Sequence, residues 1–225
     1  MDWIREAVDQ GRRALSEHKA KKLLEAYGIP VTREVLVQSP EEAVSAAEEL
    51  GYPVVLKACS DELLHKSEQG AVVLNLSSPD AVRAACERVA APGGPALEGL
   101  LVQEMVSGPR ELALGLIRDL QFGPCVMVGM GGVMTEILED TAFRVAPFDR
   151  VEAEDMVREL RFSKALGPFR GQAPADLETL SHALEALGRI GLDLDAVAEI
   201  DVNPMIVTPE GRLKAADALV ALRAA

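Results

Sequence analysis

Hydrophobic residues in the first half of the chain follow two spacings, one helical and one extended. Apolar residues three and four positions apart predict an amphipathic helix over residues 16–27. A capping box that starts at Ser39 predicts a second helix over residues 40–50. Ser78 as an N-cap and the proline- and glycine-rich stretch 92–95 as a stop predict a third over residues 79–91. Short apolar runs between the helices predict strands over residues 31–37, 54–58 and 71–76.

The second half of the chain has shorter apolar runs separated by turn residues. A run over residues 100–106 ends in Ser107-Gly108-Pro109, where we expect a hinge. The runs beyond it predict an antiparallel meander, two helices and closing strands, namely strands 111–117, 125–130, 135–138 and 143–146, helices 152–160 and 176–190, and strands 197–203, 205–207 and 213–216. The sequence thus predicts two α+β lobes, residues 1–106 with the N-terminal helix and residues 107–225.

Composition narrows the class of partner. The 23 Lys and Arg residues against 36 Asp and Glu give a formal net charge of −13, which repels phosphate backbones and anionic membrane surfaces, so we expect no nucleic-acid and no membrane partner. Three widely spaced cysteines form neither a disulfide framework nor a CxxC metal site, which is typical of a reducing cytoplasm. The N-terminus lacks an apolar stretch of signal-peptide length, and we expect a cytoplasmic protein.

One lysine and one histidine are placed for phosphate chemistry. Lys57 closes the apolar run 54–56, so its backbone is expected in a sheet with its ammonium reaching a cleft. His65 lies in a polar loop, and an accessible imidazole is a competent nucleophile toward a phosphoryl group. The alternative for both residues is an ordinary surface loop between two strands.

The closing strand carries hard oxygen ligands on one face. Alternation places Ala198, Ile200 and Val202 toward the core and Glu199, Asp201 and Asn203 on the other side. Asp217 follows 14 residues after Asn203 and is expected beside it on a neighbouring strand. Carboxylate and amide oxygens suit Mg²⁺, although a solvated polar face is the alternative.

Two more carboxylates flank the predicted hinge. Glu104 and Glu111 lie on either side of it; backbone groups from Glu104 to Val106 could pair with an adenine edge, and a carboxylate could bind the ribose hydroxyls of a nucleotide between lobes. The alternative is a plain charged strand end.

Taken together, these stretches resemble the ATP-grasp subunit or domain of the NDP-forming acyl-CoA synthetases, the family of ADP-forming acetate–CoA ligase and, more distantly, of succinyl-CoA synthetase. The resemblance covers nearly the whole chain. It is carried by YGIP (27–30), GYPVVLKACSDELLHKSEQG (51–70), LVQEMVSGPRELALGLIRDLQFGP (101–124), GMGGVMTEILED (129–140), EIDVNP (199–204) and Asp217. Ala71 and Leu219 depart from the family, which usually has glycine and arginine there.

The resemblance implies an ATP-grasp fold, α+β (α/β), in which two lobes clasp ATP or ADP with Mg²⁺. It assigns a role to each candidate residue: phosphate contact to Lys57, adenine contact to Gln103, Glu104, Met105 and Val106, ribose contact to Glu111, magnesium binding to Asn203 and Asp217 with Asp201 nearby, and phosphorylation to His65. The implied function is reversible phosphate transfer between a loop phosphohistidine and ADP or ATP, in the nucleotide-binding subunit of an ADP-forming acyl-CoA synthetase.

The same resemblance implies a partner. A CoA site of the family type would be a Rossmann unit with a glycine-rich turn, and the sequence shows no such unit. We therefore expect a separate CoA-binding α subunit and a hetero-oligomer. Two alternatives stay open: a self-contained ATP-grasp carboxylate–amine ligase, and a non-catalytic ATP-sensing module of a larger assembly.

Overall fold

The computed structural model describes residues 2–61, 70–131, 140–168 and 171–223. The α-helices are α1 Asp2–Asp9, α2 Glu17–Ala26, α3 Pro40–Leu50, α4 Pro79–Ala90, α5 Arg150–Glu159 and α6 Leu177–Asp193. The strands are β1 Ala14–Leu15, β2 Glu34–Val37, β3 Val54–Cys59, β4 Val72–Leu76, β5 Gly99–Glu104, β6 Arg110–Asp119, β7 Gly123–Met130, β8 Thr141–Val145, β9 Val197–Val207, β10 Leu213–Ala215 and β11 Leu219–Leu222. His65 and the predicted strand 135–138 lie outside the described residues.

The chain divides into two units. The large unit comprises Met1–Arg13, Ala20–Val31 and Val106–Ala225, and the small unit comprises Ala14–Lys19 and Thr32–Met105. The division between Met105 and Val106 falls one residue before the predicted lobe boundary. The first 31 residues differ from the prediction, because most of them belong to the large unit: Ala215 N–H, for example, donates to Pro30 O at 2.9 Å. For the remaining residues, the division into two lobes at residue 106 stays a prediction.

The small unit is a four-stranded antiparallel sheet, in the order β2, β5, β3, β4, that packs against α3 and α4. Both helices begin where capping chemistry predicts. The Ser39 and Ser78 hydroxyls accept backbone N–H bonds at 3.2 Å from Glu42 and Ala81, and a proline occupies the first turn of each helix. Their alanines and valines interlock with β3 and β5 in one apolar core. The predicted helix over 79–91 ends at Ala90, since the proline- and glycine-rich stretch after it forms a 3₁₀ helix over Ala91–Ala96.

The large unit is built on an antiparallel sheet in which β11, β9, β6, β7 and β8 are successive neighbours and β10 also pairs with β9. The pairing of β6, β7 and β8 is the predicted meander. Alternate β6 residues Leu112, Leu114 and Leu116 are fully buried, and α6 packs on β6 and β7. Burial of this one face therefore fixes which side chains appear on the other.

Two arginines tie loops of the large unit to β6. Arg118 donates to three carbonyl oxygens at the end of α6 and just beyond it, those of Gly191, Leu194 and Val197. Arg110, at the start of the strand, is buried and donates to the carbonyl oxygens of residues 165–167 and 173. Each guanidinium thus contacts several carbonyl oxygens at helix ends and in loops, and a planar guanidinium with five N–H donors can serve them together.

Strand β9 runs unbroken over 11 residues, where the sequence predicted two strands separated at Pro204. The Asn203-Pro204 peptide bond is cis. Pairing to β6 continues on both sides of it, with Asp201 opposite Gly115 and Met205 opposite Leu112. Asp201 is consequently held by strand pairing, while Asn203 and Pro204 lie where the β6–β9 register shifts.

Leu114→Ala should lower the free energy of unfolding by about 2–5 kcal/mol, because it leaves a cavity in the fully buried face of β6. The matched control is Ile117→Ala on the opposite face, which is 47% exposed and should cost within about 0.5 kcal/mol. Urea unfolding followed by circular dichroism measures both. Equal losses in the two variants would contradict the assignment of the faces.

Candidate nucleotide and metal site

Lys57 is a buried residue of β3, and its partner is a carboxylate that the sequence did not single out. Its Nζ donates to Glu17 Oε1 at 2.6 Å, and both residues are at most 5% exposed. Val72 and Leu101 are its register partners on β4 and β5. The sheet position predicted for Lys57 is therefore observed, and the surface-loop alternative is excluded for it.

The predicted adenine contacts lie at the end of β5 and just past it. Gln103 is buried within the sheet, while Glu104 ends the strand and accepts hydrogen bonds from Arg33 N–H and Nε, each at 2.9 Å. The predicted strand over 100–106 is too long by two residues, so Met105 and Val106 lie beyond it. The N–H groups of Glu104 and Met105 donate to the carbonyl oxygens of Arg33 and Pro53. The backbone N–H groups of Glu104 and Met105 are therefore already hydrogen-bonded within the protein.

Glu111 is the second residue of β6, on the same face of that strand as Gly115. Its side chain is half-buried, and Ile206 of β9 is its register partner. Gly131 N–H donates to Glu111 O at 2.7 Å, and a side chain at Gly131 would meet the Leu112 backbone at 2.7 Å. The backbone around Glu111 is therefore held in a close approach that only glycine permits.

The polar face predicted for the closing strand is present in β9. Ile200 and Val202 are buried, Glu199 is exposed, and Asp201 and Asn203 are half-buried. The expectation for Ala198 is wrong, because Val197 takes the buried position and Ala198 is half-exposed; the β9–β11 register shifts at this point. The alternation therefore holds from residue 199 to residue 203 and ends at Pro204, after which Met205, Ile206 and Val207 are all buried.

Asp217 is brought to this face by a turn. It lies between β10 and β11 rather than on a strand as predicted, and its Oδ1 accepts the Ala218 N–H at 2.9 Å. Leu219, two residues later, pairs directly with Asp201. The short connection between β10 and β11 therefore delivers the Asp217 charge close to Asp201.

Electrostatics show how closely these carboxylates are grouped. Burial raises the pKa of Asp201 to about 6, and the negative charges of Asp217 and Glu199 add to the effect. A divalent cation would relieve this repulsion, and hard carboxylate and amide oxygens are its preferred ligands. Among the described residues, no group of three or more His, Cys, Asp or Glu side chains forms a metal cluster.

The structure also describes Ala71 and Leu219, the two residues that depart from the family pattern. Ala71 is fully buried immediately before β4, and its carbonyl accepts the Ala58 N–H at 2.9 Å. Leu219 lies half-buried in β11 opposite Asp201. The first is part of the packing of the small unit, and the second places an apolar side chain beside the acidic group.

Asp201→Asn should stabilise the protein in EDTA, because it removes a charge that burial and two neighbouring carboxylates disfavour. A raised pKa means that this group favours folding at low pH and loses that contribution as the pH rises from about 4 to about 6. The gain in stability of Asp201→Asn over wild type should therefore appear at pH 7.5 and be absent at pH 4. It is measured as a rise in Tm of about 2–4 °C for each kcal/mol gained in the free energy of unfolding. Glu49→Gln, on an exposed helix position, is the control. A lower Tm at pH 7.5 for Asp201→Asn would contradict the prediction.

Comparison with known proteins places this geometry among nucleotide-binding domains. The sequence pattern of the ATP-grasp domain family matches residues 6–222. The β subunit of acetate–CoA ligase [ADP-forming] II from Pyrococcus furiosus is 38% identical over 92% of this chain and 91% of its own length. Acetate–CoA ligase [ADP-forming] I from Archaeoglobus fulgidus is 41% identical over 92% of this chain, which spans only 31% of that longer protein.

Solved structures of related proteins superpose on nearly the whole chain. The dinucleotide-forming acetyl-coenzyme A synthetase 1 of Ca. Korarchaeum cryptofilum, in complex with coenzyme A, Ca-AMPCP and HgCl⁺, is 44% identical and superposes with a TM-score of 0.92 over 99% of each chain. A second complex of that protein contains coenzyme A and Mg-AMPPCP, with its phosphohistidine segment pointing towards the nucleotide-binding site. It is 44% identical and superposes with a TM-score of 0.86 over 99% of each chain.

Proposed function

The chain belongs to the ATP-grasp domain family, and we propose that it is the nucleotide-binding subunit of an ADP-forming acyl-CoA synthetase. The predicted family and the predicted ATP-grasp fold are confirmed by the match over residues 6–222 and by the solved structures at 44% identity. The observation that carries the functional proposal is 38% identity, over nine-tenths of both chains, to a β subunit of an ADP-forming acetate–CoA ligase.

Each candidate residue has a role in this proposal. Lys57 supplies positive charge to the nucleotide phosphates, the stretch from Gln103 to Val106 contacts the adenine, and Glu111 binds the ribose. Asn203 and Asp217, with Asp201, hold Mg²⁺. What supports the metal assignment is the donor chemistry of this group and the repulsion among its carboxylates. The solved relative with Mg-AMPPCP agrees with the predicted cofactors, ATP or ADP and Mg²⁺.

A protein with a net charge of −13 needs local positive charge to bind a nucleotide. A nucleotide carries several negative charges, and the polar face of β9 adds further ones. Bound Mg²⁺ would neutralise charge on the phosphates. The protein's part is to hold the metal-binding oxygens on β9 and on the connection between β10 and β11, and to present Lys57 from a buried position. Catalysis then rests on positioning and charge neutralisation.

His65 is the proposed phosphate carrier, although it lies outside the described residues. In the forward direction a phosphohistidine donates its phosphoryl group to ADP, the P–N bond breaks, and ATP and the free imidazole result. The step is reversible because phosphohistidine has a high transfer potential. Support comes from the matching LLHKSEQG sequence and from the phosphohistidine segment of the Korarchaeum relative.

Incubation with γ-labelled ATP and Mg²⁺ should place acid-labile label on the wild-type protein and none on His65→Ala, because the acceptor nitrogen is then missing. His182→Ala, which removes an exposed histidine of α6, is the matched control and should label fully. Full labelling of His65→Ala would overturn the phosphate-carrier role.

Completion of the synthetase reaction needs a CoA-binding partner in this proposal. The nucleotide-binding family accounts for residues 6–222, and the relatives include both separate β subunits and longer single chains. We therefore propose a hetero-oligomer with a CoA-binding α subunit. None of the helices in the described part of the chain is long and apolar enough to cross a membrane. The three cysteines are free, and the cytoplasm stays the proposed compartment.

The 225-residue chain, given ATP, Mg²⁺, CoA and a panel of short and aromatic carboxylates, should release no ADP in a CoA-dependent manner. Addition of a CoA-binding α subunit should produce that release, because it supplies the missing sites. A coupled ADP assay measures both. Robust turnover by the isolated chain would instead favour the self-contained ligase.

A further inference from the structure

The strongest feature outside the predicted site is the buried carboxylate of Glu17. It lies 2% exposed in the first turn of α2 and accepts a hydrogen bond from Lys57 Nζ at 2.6 Å. Such a short contact between buried opposite charges is the strong, charge-assisted kind. Forty residues separate the two in sequence, so the pair is made by the fold of the small unit.

The turn that carries Glu17 is fixed to the small unit at several other points. Ser16 Oγ and Lys19 Nζ donate to Glu98 at 2.8 and 2.9 Å, and His18 Nδ1 lies 3.0 Å from Glu34 Oε1. These contacts join residues 16–19 to the starts of β2 and β5. The Glu17 carboxylate is therefore held in place independently of Lys57.

The same turn also covers the end of β3. The Cys59 sulfur is contacted by the Ser16 hydroxyl and by the His18 backbone N–H, and burial raises the pKa of this thiol. On the flanking strands, the register partners of Lys57 are the apolar residues Val72 and Leu101. Among the residues that the structure describes, the charged and titratable groups at this end of β3 include Glu17, Cys59, and the pairs of His18 with Glu34 and of Lys19 with Glu98.

We propose that Glu17 is a positioning residue that keeps the Lys57 ammonium charged and oriented for the nucleotide phosphates. A lysine in an apolar sheet loses its proton more readily unless an anion stays beside it, and a neutral amine cannot offset phosphate charge. Glu17 supplies that anion from a helix N-terminus, where negative charge is favoured. The inference rests on the phosphate role proposed above for Lys57.

The test is the affinity of the full chain for Mg-AMPPCP between pH 7 and pH 9, measured by calorimetry. This range lies above the pKa of about 6 for Asp201, so that carboxylate stays ionised throughout. Wild type should bind with nearly constant affinity. Glu17→Gln should lose affinity as the pH rises, by about 10- to 100-fold at pH 9, because the Lys57 ammonium gives up its proton more readily without the Glu17 charge beside it.

Two further variants distinguish an effect of Glu17 on the position of Lys57 from an effect on the stability of the fold. Glu98→Gln alters another carboxylate bound to the same turn and should keep the wild-type pH profile. Glu17→Asp keeps the charge but shortens the side chain, and it should weaken binding at every pH without a change in the shape of the profile. It also carries the test if Glu17→Gln does not fold.

Four outcomes then distinguish the two proposals. The inference is supported if only Glu17→Gln loses affinity for Mg-AMPPCP in a pH-dependent manner. A loss of affinity in Glu17→Asp that is the same at every pH also supports it. A lower Tm in the Glu17 variants with wild-type affinity and profile would overturn it and leave the proposed function standing. Wild-type affinity in Lys57→Met would instead remove the phosphate role of Lys57 itself.

Discussion

The polar face of β9 depends on the burial of every second residue in the sheet of the large unit. Leu114 and Val202 must lie against the helices, because each would otherwise expose apolar surface worth about 1.5–3 kcal/mol. Their strands are paired in a fixed register, and the neighbours of these residues then have to point away from the core. A shift of one residue would bury Asp201 and Asn203 completely. Core packing and the placement of the polar face of β9 are therefore one constraint in this unit.

Local chemistry explains which elements could be predicted. The helix α3 matches its predicted bounds because its cap, its N-terminal proline and its terminal glycine are all within the segment itself. The helix α1 and the strand β11 were not predicted, since each is short and its existence depends on burial by distant residues. The continuous course of β9 through Pro204 has the same origin, because the register with β6 shifts at Asn203-Pro204 and pairing resumes at Met205, an irregularity at which a strand tolerates proline.

The candidate site divides in the same way. Asp201 and Asn203 could be placed on one face from the sequence, because a strand has a period of two whatever surrounds it. Glu17 could not be found, since nothing in the first turn of a helix says which strand it will meet; its acidic character was the only signal. Arg33 was missed for a similar reason, as it reaches Glu104 across 71 positions of sequence. Residues that act alone on an element were predictable, and residues that act as partners were not.

Arg118 has a consequence for how the large unit can be engineered. Its guanidinium holds three carbonyl groups at and beyond the end of α6, so the sheet and the helix are locked together just before the β6–β7 turn. The turn itself, from Asp119 to Gly123, carries the fully exposed Leu120, and Asp119 closes it through two backbone N–H groups. Extra residues inserted at Leu120 would lie beyond this lock and leave the strand register behind it intact. The tip of this hairpin is accordingly a natural position for an affinity tag or a fluorescent reporter.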